Sequence, residues 1–156
     1  MSGQSSLSGR IGQHSAGEVV ARVMVAVGLG YDAYAHLDLA ASFDGNRALL
    51  SQGMLFRVEA VAAILAALLV LVIRHRAVAL LAVVIAGSAL GAVVLYRYVD
   101  LGSLGPLPDM YEASWYPEKT YSAIAEATAI LAGGALLALS RQMALTRLMP
   151  GEGHHR

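Results

Sequence analysis

The 156-residue sequence predicts an all-α, antiparallel four-helix transmembrane bundle in one continuous domain. Three observations lead there. Hydrophobic residues make up 57% of the chain and charged residues 14%, the mean hydropathy is +0.60, and the apolar residues fall in bilayer-length blocks. A soluble domain carries about 25% charged residues and spreads its apolar positions by helix or strand period.

Residues 1–16 are Ser/Gly-rich and aperiodic and read as a disordered cytoplasmic tail. The transmembrane domain then covers 17–145, with helices at about 18–39, 54–73, 77–98 and 120–140. The third is the clearest: Ala77–Tyr96 holds no charge, and twenty residues of helix span about 30 Å. The second opens with Arg57 and Glu59, and the fourth carries Glu126. The first is the most polar, holding Arg22, Asp32, His36 and Asp38, and its uncharged run Val23–Tyr31 is too short to cross alone. Neighbouring helices must shelter its polar groups. Ala33-Tyr34-Ala35 has the small-x-small form of a signal cleavage site, but the long polar leader and Asp32 beside the site favour a retained helix. Residues 146–156 read as a flexible cytoplasmic tail.

Orientation follows from the arginines. Arg10, Arg22, Arg74, Arg76, Arg141 and Arg147 fall on one side, so the positive-inside rule places both termini in the cytoplasm of a cell (plasma) membrane. The longer connections, about 40–53 and 100–119, then face outward. The second holds the interfacial aromatics Tyr111, Trp115, Tyr116 and Tyr121. Ten of the eleven basic residues are Arg amid abundant Ala, Val, Leu and Gly, a usage typical of GC-rich bacteria.

Several function classes are excluded or disfavoured. The chain has no cysteine, which removes disulfides, thiolate metal sites and cysteine nucleophiles. Net charge is zero, so no nucleic-acid partner is expected. No Ser-His-Asp spacing, phosphate loop or dinucleotide fingerprint is present, and an enzyme is the less favoured reading. The expected partners are the lipid bilayer and a membrane protein or second copy; Gly87/Gly91 and Ala129/Gly133, where small residues let helices approach closely, serve either such a contact or packing within the monomer.

The ionisable residues of the helices form the candidate site. Asp32 and His36 are four apart and share a face. Helix rise puts Asp32 about 11 Å, and Glu59 and Glu126 about 8–9 Å, below the outer helix ends. Arg97 ends the third helix and Arg57 sits just above Glu59. A charge in hydrocarbon costs at least about 2.5–3.5 kcal/mol, so Asp32, His36, Arg57, Glu59, Arg97 and Glu126 should face one another. The cluster reads either as a structural network, with Arg57 and Arg97 neutralising the carboxylates, or as an outward-facing pocket for a small ligand or proton. No metal and no cofactor is expected: the carboxylates and His36 are hard-metal ligand types, but the two arginines oppose a cation.

The stretch Gly30–Val72, with Tyr34, His36 and Gly53-Met54-Leu55-Phe56 opening an Ala/Leu-rich helix, resembles a group of uncharacterised actinobacterial four-helix integral membrane proteins. Arg97, the Gly/Pro loop, Trp115, Tyr121-Ser122 and Glu126 continue the likeness, which covers about 18–140. It implies fold and location, and no established activity. The expected function is that of a non-enzymatic accessory or interaction subunit; the alternative is a small-ligand or proton-binding membrane protein that uses the polar cluster.

Overall fold

In the computed structural model, which describes residues 4–148 and the side-chain surroundings of 16–140, the described residues form four α-helices and no strand. They are α1 (Gln4–Ala40), α2 (Gln52–Val72), α3 (Arg76–Tyr98) and α4 (Pro117–Leu148). α2, α3 and Pro117–Ser140 of α4 are each long and apolar enough to cross a membrane. α1 packs along α2 and α4, and α3 along α4 and α2, while α1 and α3 sit across the bundle diagonal.

The packing is inside out relative to a soluble bundle. Small residues fill the axis, with Ala60, Ala63, Ala66, Ala79, Ala82, Ala86 and Ala129 buried around Val25, Leu29 and Val70. Large apolar residues such as Val61, Leu65, Leu68, Leu80, Val84 and Leu131 point outward. Lipid tails are as apolar as these side chains, so burying them inside would gain little, whereas alanine lets backbones approach and multiplies van der Waals contact. α1 turns its polar strip into this interior: Ala21, Val25, Leu29, Asp32 and Ala33 are buried, and Val20, Val27 and Tyr34 are exposed. Asp32 is sheltered in this way, Arg22 and His36 are half-buried, and Asp38 is exposed.

Helix ends differ from expectation where local chemistry decides. Residues 4–16, expected as a disordered tail, continue α1 in helical turns, with no proline to stop propagation. Ser51 caps α2 by accepting from the Met54 N–H at 3.1 Å, which starts that helix two residues early. His75, exposed between α2 and α3, caps α3 through Nδ1, which accepts from the Ala77 N–H at 3.2 Å. At the other end of α2, Arg22 Nη1 donates to the carbonyls of Val70 at 2.6 Å and Ile73 at 3.0 Å. One guanidinium thus satisfies two carbonyls that helix termination leaves free. Pro117 opens α4, where its missing N–H is not needed, and α4 runs on to Leu148. The tail residues 149–156 lie outside the described residues.

The two long connections clasp each other over one end of the bundle. Asn46 Nδ2 donates to Gln52 Oε1 at 2.7 Å and to the Asp109 carbonyl at 2.6 Å, and the Leu50 N–H donates to the Pro106 carbonyl at 3.0 Å.

Glycines separate the internal contacts from the outer surface. A Cβ on Gly28 would come within 2.6 Å of the Ala125 carbonyl oxygen and 3.0 Å of Ala129 Cβ, so α1 and α4 touch there backbone to backbone. Gly133 is buried against Val83 and Ala129 is fully buried. Of the two readings of the Ala129/Gly133 pair, the structure shows packing within this chain. Gly87 and Gly91 face outward with nothing within 4 Å of where a Cβ would stand.

Candidate functional site

Beneath the clasped loops, α1 and α4 each present two polar residues one turn apart. Asp32 and His36 come from α1, Ser122 and Glu126 from α4, and Gly28 one turn below lets the two helices close enough for them to meet. His36 Nδ1 lies 2.8 Å from Asp32 Oδ1 and 3.0 Å from the Asp32 carbonyl oxygen. Ser122 Oγ lies 3.1 Å from Asp32 Oδ1 and 2.8 Å from Glu126 Oε1. Asp32 and Glu126 are both 0% exposed. Their second oxygens, Asp32 Oδ2 and Glu126 Oε2, have no hydrogen-bond partner, and Glu59 Oε1 on α2 is likewise buried and unpartnered. A serine hydroxyl carries one proton, so it can donate to only one of the two carboxylates it touches.

The arginines do not complete this cluster. Arg57 donates from Nη1 and Nη2 to Asp44 Oδ1 and Oδ2, both at 2.7 Å, in a bidentate pair out in the first long connection. That guanidinium holds the Asp44 carboxyl below its ordinary range. Residues two apart on a helix point about 200° apart, so Arg57 cannot share the inward direction of Glu59. Arg97 lies in the last turn of α3 with its guanidinium 5.1 Å from the Tyr98 ring centroid. Among the described residues, no arginine forms a salt bridge with Asp32, Glu59 or Glu126. The expectation that Arg57 and Arg97 neutralise these carboxylates is thereby corrected. Of the six expected site residues, the structure brings together Asp32, His36 and Glu126, places Glu59 beside them, and sends Arg57 and Arg97 elsewhere.

The cluster underlies a cavity of about 370 Å³. His36, Glu59 and Ser122 supply its polar floor, Phe56, Ala89 and Val93 its apolar wall, and Tyr96, Met110, Glu112, Tyr116 and Lys119 its loop-side rim. The His36 ring stands edge-on to Phe56 at 5.1 Å, which stands against Phe43 at 5.3 Å. Lys119, in the first turn of α4, is buried. Its Nζ donates to the carbonyls of Glu112 at 2.7 Å and Ser114 at 3.4 Å and lies 5.6 Å and 5.9 Å from the Trp115 and Tyr116 ring centroids. The aromatics of the second loop thus fold onto a lysine as well as facing the interface. Burial pushes the Tyr116 hydroxyl pKa up, and the Ser114 N–H holds the Glu112 carboxyl below its usual range.

Sequence reasoning missed Ser122, Asp44, Tyr116 and Lys119. Ser122 carried a signal, since it stands four residues before Glu126, the spacing that paired Asp32 with His36. Asp44 carried none, because its pairing depends on how the loop folds back over α2. No family model, no curated protein and no solved structure matches this chain.

Proposed function

We propose that this membrane protein binds a small, largely apolar molecule carrying one polar head, held in the cavity under the loops with the head toward His36, Glu59 and Ser122. The observation that carries this reading is the cavity itself. Its volume of about 370 Å³ falls within the range of about 300–1,000 Å³ typical of ligand sites, and its apolar wall ends in a few convergent polar groups. The unpartnered Glu59 oxygen adds a buried acceptor that a ligand donor would satisfy. With both termini cytoplasmic in a bacterial plasma membrane, the cavity opens to the outer face.

Native mass spectrometry of the full chain released from mild detergent tests this reading. An organic adduct is expected in the parent, and Val93→Trp, which fills the cavity, should lose it. A parent without adduct that no fraction of a total lipid extract stabilises would contradict the proposal.

A second reading, an accessory subunit that docks another transmembrane helix, is supported by one feature: Gly87 and Gly91 leave an outward strip on α3 free of side chains. Crosslinking from position 87, in cysteine variants of this cysteine-free chain, would capture that partner or a second copy.

A further inference from the structure

We infer that Asp32, His36 and Glu126 form a binding site for one divalent first-row metal ion, zinc or manganese by donor type, held between α1 and α4. Each residue offers one ligand atom, and these atoms all lie within 4.8 Å of one another. Three donors around a single ion at about 2.0–2.2 Å stand roughly 3.3–3.8 Å apart, so side-chain adjustments of up to about 1 Å close the site. Two carboxylate oxygens and one imidazole nitrogen are the donors of a borderline-to-hard centre.

Two further observations point to a cation. The first is the pair of unpartnered oxygens, Asp32 Oδ2 and Glu126 Oε2, on side chains that are 0% exposed. An unsatisfied buried carboxylate oxygen is strongly disfavoured, more so within a membrane. The second is charge. The arginines that would have opposed a metal lie elsewhere, Arg57 bound to Asp44 and Arg97 against Tyr98. Lys119 donates to loop carbonyls. A divalent ion between Asp32 and Glu126 would offset both carboxylates beside a neutral imidazole. Ser122, within hydrogen-bond distance of both carboxylates, orients them as outer-shell partners orient ligands. His36 and Ser122 also line the cavity, so the site borders it.

The inference goes beyond the cavity's organic ligand and is measured separately from it. The full chain is purified without a polyhistidine tag, with His154→Ala and His155→Ala as background, incubated with Zn(II) or Mn(II), desalted and assayed by elemental mass spectrometry. About one equivalent per chain is expected, falling at least tenfold in Asp32→Asn, His36→Gln and Glu126→Gln and unchanged in Val93→Trp. A background chain that desalts to the buffer blank overturns the site, and so does an equivalent that survives in all three variants. Since a variant can fail to fold, the background chain also carries its own readout. Bound Co(II) should show the visible d–d bands of an oxygen- and nitrogen-ligated ion, and their absence overturns the assignment as well.

Discussion

The half of the bundle next to the α2–α3 turn and the half beneath the long loops use the same four helices and pack them differently. Toward the turn, Ala63, Ala66, Val70, Ala79, Ala82 and Leu136 close the axis around Val25. Beneath the loops, the axis holds Asp32, Glu126, Ser122 and a cavity of about 370 Å³. Each carboxylate there costs at least about 2.5–3.5 kcal/mol to insert, and unfilled space forfeits dispersion contact. Alanines continued along the axis would have avoided both costs. These departures from local consistency lie in the half where binding is proposed.

The junction between the halves is Gly28, and breaking it gives the largest expected effect. Gly28→Val would drive a side chain into the Ala125 carbonyl and Ala129. Overpacking of this kind costs about 1–3 kcal/mol, and here it also parts Asp32 from Ser122 and Glu126. Thermal unfolding in detergent should show the loss. Gly87→Val, with open space around it, should stay within about 0.5 kcal/mol of the parent. Equal effects at the two glycines would mean that α1 and α4 do not meet as described.

A smaller effect is expected at the closed end. Arg22→Ala leaves the Val70 and Ile73 carbonyls without their donor and removes the Glu18 pair. The expected loss is about 0.5–1.5 kcal/mol, read by thermal unfolding, with metal occupancy at the other end unchanged. If occupancy fell with it, the two halves would be coupled and the comparison would fail.

The smallest effect concerns the loops. Asp44 is held below its unfolded pKa by Arg57, so its contribution to stability is present above the ordinary carboxylate range and is lost as pH falls through the depressed value. The pair is exposed, and its effect is small. Asp44→Asn should melt slightly below the parent near neutrality, and the difference should vanish in acid. A difference that grew in acid would contradict the pairing.

Most of the fold was legible because bilayer length and charge exclusion act locally along the chain. The uncharged run Ala77–Tyr96 announces α3 by itself, and (i, i+4) spacing with helix rise placed Asp32, His36 and Glu126 on one level. The arginines misled because a long side chain reaches a partner set by tertiary folding: Asp44 meets Arg57 only once the loop doubles back. The helical run of α1 before residue 17 was hidden for the opposite reason, since Ser and Gly favour loops by propensity yet do not forbid helix.

The contrast between an end with a cavity and a closed packed end is tested most directly by cysteine accessibility, which the cysteine-free chain makes clean. Ala89 and Ala82 lie two turns apart on α3 and are both buried, but only Ala89 lines the cavity. Ala89→Cys should react with a small water-soluble methanethiosulfonate reagent and be protected when the cavity is filled by Val93→Trp, while Ala82→Cys stays unreactive. Equal labelling at the two positions, or none at 89, would contradict the account.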